Sequence, residues 1–305
     1  MGATHAYDGT DRLAALEHEV EVLRAAARHQ HTWVPPGHYY SPIPDAAQLR
    51  TRADELFFRQ RHALPGIDLN FVRQEELLRI FLPFYAEQPW HEQPGARCRY
   101  GFANDQFGHA DALFLYFVLR HAQPRRVVEV GTGWSTCAML DIDDLFLEGQ
   151  IEIVSIDPDP SRLRARLRPG DERRVTIVDQ PVQAVPLETF DVLAAHDVLF
   201  IDSTHVLKTG SDVNHLLFEV LPRLRSGVWV HVHDVAYPFE YPREWVEEGR
   251  AWNEAYAWRA FLSYNAAFEI QVMNTCLEFL QPDWFRDNMP LCLKNVGGSL
   301  WLRRR

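Results

Sequence analysis

The stretch that most limits what this chain can become is Arg126-Val127-Val128-Glu129-Val130-Gly131-Thr132-Gly133-Trp134-Ser135-Thr136. A β-branched apolar run stops at two glycines spaced by one residue and resumes as a helix-compatible segment reaching Leu140. That order reads as a buried strand, a tight turn and a helix N-terminus. Such a turn suits a ligand, because glycines let backbone N–H groups approach it and a helix start favours its negative end, here a carboxylate. The next strand, Ile151 to Ile156, runs into Asp157, where nucleotide-binding α/β folds keep an acid for ribose hydroxyls.

The rest of the chain repeats this alternation. After Asp157 come a helix near Ser161 to Leu167, a strand Val175 to Val178, a helix around Pro186 to Ala194 and a strand Asp197 to Asp202. A helix Gly210 to Leu224 follows, then a strand from Val228 into His233 and Asp234. Strands and helices at this spacing predict an α/β fold with a parallel, doubly wound sheet. Phe268 to Met273 and Ser299 to Arg303 read as two further strands. Between them and the fifth strand, at about 235–266, lies an insert dense in aromatics, including Trp245, Trp252, Tyr256, Trp258 and Phe261. It reads either as the wall of an acceptor pocket or as a satellite core under a long loop.

Ahead of the sheet, residues 1–98 read as a helical extension or lid, and residues 99–305 as the α/β domain with its insert. Leu13, Leu16, Val20, Leu23 and Ala27 mark an amphipathic helix over 11–29, which either pairs two chains into a homodimer or packs on its own domain. A proline-stiffened segment around Tyr39 and Tyr40 precedes a helix over 46–62. A second helix over 71–85 presents Leu77, Leu78, Phe81 and Phe84 as its core face. The helix Gly108 to His121 leads into the first strand.

Composition narrows the partners. A formal charge of −11 argues against a nucleic-acid backbone as ligand. The longest apolar run, Ala112 to Leu119, falls far short of the roughly 20 residues that span a bilayer. Cys98, Cys137, Cys276 and Cys292 show neither zinc spacing nor a disulfide pattern, and no signal-like segment opens the sequence, so the expected location is the cytoplasm. Nearly all positive charge is arginine; the only lysines are Lys208 and Lys294, which draws attention to Lys208 beside the fourth strand.

A dinucleotide fits the glycine turn poorly. The pyrophosphate site wants a third small residue where this chain has Thr136, and Glu129 just before the turn would repel phosphate. S-adenosylmethionine lacks phosphates, offers a ribose for Asp157 and carries positive groups that tolerate nearby acid. Through the turn at Glu129 to Gly133 and through Asp157, the sequence resembles class I S-adenosylmethionine-dependent methyltransferases over roughly residues 99–305. The resemblance implies a seven-stranded, mostly parallel sheet finished by an antiparallel hairpin. It also implies that Glu129, Gly131, Gly133, Ser135 and Asp157 bind the cofactor, with Asn104 from the loop before the first helix of the domain.

The later strand ends carry the chemistry. Asp202 and Asp234 terminate neighbouring strands about 4.8 Å apart, so their carboxylates can converge on one ion or hydroxyl. Asp202-Ser203-Thr204-His205 followed by His233-Asp234 resembles metal-dependent O-methyltransferases that act on sugar hydroxyls in natural-product tailoring. The resemblance implies that His205 is the general base and that Asp202 and Asp234 hold Mg²⁺. His233 stands where the family commonly has a carboxylate or amide; imidazole suits manganese, iron or zinc better, and it serves either as a third ligand or as a support for the acceptor. His231, on the same strand face, reads as a core histidine. The leading expectation is an O-methyltransferase for a small hydroxylated molecule. The rivals are a non-haem metal hydroxylase drawing on His205, His231, His233, Asp202 and Asp234, and a cofactor-binding protein without turnover.

Overall fold

A computed structural model describes residues 12, 16–22, 33–57 and 63–305. The chain divides into two compact units, Met1–Arg52 and Ala53–Arg305. In the first, the helix Ala46–Thr51 starts at Asp45, whose carboxylate accepts the N–H groups of Ala47 at 2.7 Å and Gln48 at 2.9 Å. Residues 16–22 are helical and exposed; the remaining pairing positions of the 11–29 expectation, Leu13, Leu23 and Ala27, lie outside the described residues. The helix expected over 46–62 is divided, because Arg52 leaves helical angles (φ −116°, ψ 18°) before a second short helix, Ala53–Phe57.

The second unit is built on a seven-stranded sheet: β1 Arg126–Val130, β2 Glu152–Ile156, β3 Val175–Val178, β4 Val198–Ile201, β5 Trp229–Val232, β6 Phe268–Met273 and β7 Leu300–Arg304. Their order is β3-β2-β1-β4-β5-β7-β6, with β7 antiparallel to both neighbours and the other pairs parallel. The order reverses between β1 and β4, so their carboxyl ends open a crevice. Strand alternation sorts the core into two layers. Val127, Val198, Phe200 and Trp301 pack on α1 (Phe71–Tyr85) and α2 (His109–Ala122), while Val128, Leu199, Ile201 and Val230 pack on the helical stretch that follows β4 and on Trp258. That stretch, expected as one helix over 210–224, widens to π geometry at Leu216–Val220 and tightens to a 3₁₀ turn at Leu221–Arg223.

The compact α/β unit starts well before residue 99. Leu77, Leu78 and Phe81 of α1 are wholly buried, and the Gln74 side-chain oxygen accepts the Met273 N–H of β6 at 2.8 Å. At the crevice, Gly131 has φ 86°, and a Cβ there would lie 2.0 Å from the Asp202 carbonyl oxygen. Only glycine lets β1 turn this close to the end of β4.

Candidate active site

The turn after β1 is fastened from below. Glu129 lies opposite Ser155 of β2 in register, and α3 (Trp134–Phe146) places Ser135 and Thr136 in its first turn. Glu129 accepts the hydroxyls of Ser135 at 2.6 Å, Thr136 at 2.6 Å and Ser155 at 2.8 Å. Burial pushes this carboxyl up to about 7 against the pull of those three bonds. Glu129 and Ser135, expected as cofactor contacts, are therefore spent beneath the turn. Asn104 is likewise spent: its amide donates to the carbonyls of Gly101 and Phe107, both at 2.9 Å, and its oxygen accepts the N–H groups of Gln106 and Phe107. It folds the loop that carries Gln106.

The upper side of the turn is accessible. Half-buried Asp157 accepts the N–H groups of Thr132 at 2.9 Å and Asp159 at 2.7 Å, and each carboxylate oxygen keeps a second lone pair. Above Gly133, the only atom close to a built Cβ is Cδ of Arg162 at 3.4 Å, the flexible end of a side chain whose guanidinium donates to Gln106. The N–H groups of Gly131, Thr132 and Gly133 are taken by the Ile156 carbonyl at 2.9 Å, Asp157 at 2.9 Å and the Thr136 hydroxyl at 3.3 Å, so the turn offers close approach over Gly133 rather than free donors.

Beside it, a cavity of about 580 Å³ is lined by Gln106 and Arg162, by Asp202, His205, His233 and Asp234, and by Trp245, Arg250 and Trp252 of the insert. The His205 Nε2 atom stands 3.6 Å from Asp202 and 3.6 Å from Asp234, while Nδ1 is 3.0 Å from Glu254 of α4 (Glu254–Leu262). Burial works against the imidazolium, but Glu254 first, then Asp202 and Asp234, more than offset it and hold the His205 pKa above its ordinary value. One face of the ring meets Trp252 at 4.3 Å. The Arg250 guanidinium stacks on Trp245 at 4.4 Å and Trp252 at 5.0 Å, so the insert does wall the cavity.

His233 lies 3.6 Å from Asp234 and 3.9 Å from Asp111. Burial lowers its pKa, but Asp234, Asp202, Asp111 and the Gln106 backbone together push it up to about 9. His231 is buried with neither ring nitrogen bonded among the described residues, stacks on Phe200 at 4.1 Å, and is driven well below the ordinary value by burial. It is a core histidine. Lys208 is exposed and absent from the cavity lining.

Residues 128–235 match the model of a family described as a methyltransferase domain. A protein of Archaeoglobus fulgidus, itself uncharacterized, is 37% identical over 167 residues, covering 52% of this chain and 73% of that protein. The chain belongs to the class I methyltransferase family. Among solved structures it is similar to the Podospora anserina methyltransferase PaMTH1 bound to S-adenosylhomocysteine, at 14% identity and TM-score 0.42, covering 90% of this chain and 99% of that one. It is also similar to the O-methyltransferase TomG of Streptomyces achromogenes, involved in tomaymycin synthesis and solved with S-adenosylmethionine, at 15% identity and TM-score 0.42, covering 84% and 95%.

The divalent cation expected at Asp202, Asp234 and His233 finds no support here. Among the described residues no three His, Cys, Asp or Glu side chains gather as a metal ion requires. At the strand ends the His205 Nε2 atom lies 3.6 Å from both Asp202 and Asp234, and the neighbouring acids push the His233 pKa up to about 9. Sequence reasoning missed Glu254, Asp111 and Arg162. Its place four residues before Trp258, among the aromatics of the insert, was the available signal for Glu254, one of five glutamates there. Asp111 carried no signal, since its partners Gly298 at 3.0 Å and Ser299 at 2.8 Å come from the far end of the chain.

No helix among the described residues is long and apolar enough to cross a membrane.

Proposed function

We propose that this methyltransferase transfers the methyl group of S-adenosylmethionine to a hydroxyl of a small polyhydroxylated molecule, a sugar or natural-product intermediate. The observation that carries the reading is a histidine, His205, whose Nε2 opens on the cavity while its Nδ1 is taken by a buried carboxylate. S-adenosylmethionine supplies a methyl carbon already activated by its sulfonium. Asp157 would accept its ribose hydroxyls, and the glycine turn at Gly131 to Gly133 would give its carboxylate end close approach to the start of α3. The protein must then orient the acceptor and take its proton. As the acceptor oxygen bonds to the methyl carbon and the carbon–sulfur bond breaks, the hydroxyl proton passes to His205 Nε2, leaving a methyl ether and the neutral thioether. Asp202 and Asp234 favour the imidazolium that forms and can accept neighbouring hydroxyls of the acceptor, while Trp245 and Trp252 add apolar surface to the cavity lining.

The four buried, unpaired thiols suit a reducing cytoplasm, and the net charge of −11 suits a small-molecule acceptor over nucleic acid. Calorimetry with S-adenosylmethionine and with NAD, followed by transfer of labelled methyl to a panel of nucleotide sugars and glycosides, tests the reading. Tighter binding of NAD, or label recovered on nitrogen or carbon, overturns it.

A further inference from the structure

We infer that Glu254, supplied by the acceptor insert and not by the sheet, is the positioning residue of His205: it holds the Nδ1 proton so that the Nε2 lone pair faces the cavity. The inference rests on His205 being the base of the proposed reaction.

A neutral imidazole carries one proton and has two places to keep it. On the cavity side, Asp202 and Asp234 both stand 3.6 Å from Nε2, and two carboxylates there would draw the proton to that nitrogen. A ring protonated at Nε2 presents a donor to an incoming hydroxyl and buries its lone pair at Nδ1, so it cannot act as a base on that hydroxyl. The opposite pull comes from Glu254, which is buried to 1% exposure and whose oxygen accepts from Nδ1 at hydrogen-bond length, 3.0 Å. The cavity acids are beyond that length, so the inner carboxylate decides the tautomer.

Glu254 is itself fixed. Its second oxygen accepts the Trp258 indole N–H at 3.0 Å, and the oxygen facing His205 also accepts the Ser203 hydroxyl at 3.0 Å. The start of α4 is stitched to the loop that carries the histidine. The backbone N–H groups of Asn253 and Glu254 donate to the His205 carbonyl at 3.1 and 3.2 Å, and the Leu207 N–H donates to the Asn253 side chain at 2.6 Å. His205 occupies the left-handed region at φ 62°, a strained setting for a side chain of this size that such a clamp over-determines. The element that walls the acceptor pocket is therefore the element that primes the base. In this molecule, acceptor recognition and base activation are properties of one insert.

The test reads the tautomer and needs no acceptor. With ¹⁵N-histidine-labelled full-length protein at a pH where His205 is neutral, two-bond ¹⁵N–¹H correlation should show Nδ1–H in the wild type. The resonance is assigned by its loss in His205→Ala. Glu254→Gln should shift the population to majority Nε2–H, whereas Trp258→Phe, which removes a different donor and leaves the Glu254 carboxylate in place, should keep Nδ1–H and so separate positioning from general loosening. Glu254→Asp, with its shorter carboxylate, should restore part of the Nδ1–H population. A wild-type ring protonated at Nε2, or a Glu254→Gln ring that keeps Nδ1–H, overturns the inference. Calorimetry on the same samples separates this from the cofactor reading. A tautomer shift in protein that binds no S-adenosylmethionine upholds the positioning role and removes the methyl-transfer reading; bound S-adenosylmethionine with an unresponsive tautomer does the reverse. Once an acceptor is found, Glu254→Gln should lower kcat by about 10- to 100-fold with KM little changed.

Discussion

Two groups of buried charge sit at opposite edges of the same sheet, and they are finished differently. At the amino-terminal edge, Arg99 donates to Asp141, Asp144 and Asp171, and Arg174 reaches Asp143 and Asp144. Backbone and indole N–H groups complete the set: Asp141 also accepts from Tyr100 and Trp90, Asp143 from Gln150 and Ile151, and Asp171 from Arg168. Every oxygen of these buried acids has a donor at hydrogen-bond length, which is what a structural ion cluster requires. At the carboxyl-terminal edge, the part-exposed carboxylates of Asp202 and Asp234 make 3.6 Å contacts with histidines and no side-chain hydrogen bond among the described residues. The carboxylate oxygens of the first cluster are all engaged, while the Arg174 Nε has no partner among the described residues. The second keeps its acceptors and one imidazole nitrogen free beside a cavity, so the difference in saturation separates architecture from chemistry.

The strongest way to break that contrast is at His205. His205→Ala should cut turnover by about 10²- to 10⁴-fold while leaving S-adenosylmethionine affinity, read by calorimetry, unchanged. A fully active variant would remove the base from the mechanism. On the structural side, Arg99→Met strands Asp141 and Asp171 and should cost about 3–5 kcal/mol in urea unfolding. Asp202→Asn, which removes an unsaturated acid, should stay within about 0.5 kcal/mol of the parent. Equal losses in the two variants would erase the distinction. A smaller effect is expected at Asp157, where Asp157→Ala should weaken S-adenosylmethionine binding by about 1.5–3 kcal/mol.

The two cavity histidines also make the contrast pH-dependent. His205 and His233 both have folded pKa values above their ordinary 6.5, that of His233 at about 9. Their contribution to stability is complete below pH 6.5 and is lost as pH rises through the folded values. Urea unfolding should therefore weaken between pH 6.5 and about 9 in the parent, and less so in His233→Gln. Turnover moves the other way on the acid side, rising as pH passes the raised His205 value and frees Nε2. The smallest expected effect is that of a chelator, which should leave turnover unchanged. A chelator-induced loss reversed by Mn²⁺ would make the acid pair a metal site after all.

What the sequence determined by itself is whatever physics writes locally. Short continuous apolar runs, the first broken by Gly131 and Gly133 and all alternating with helical stretches, are enough for the parallel sheet and for its crevice. Strand ends follow from the same pattern, which is why Asp157, Asp202, Asp234 and the nearby His205 could be named from the sequence as candidates at the crevice. Other assignments needed the tertiary structure, because a residue type at the right place does not say which way its side chain is spent. Glu129 and Ser135, expected as cofactor contacts, bond to each other beside the turn, and Asn104 closes its own loop. Glu254 meets His205 across 49 residues, and Asp111 meets Gly298 across 187. No periodicity encodes such distances, since they arise only when the packing of the insert and of β7 brings the partners into hydrogen-bond range.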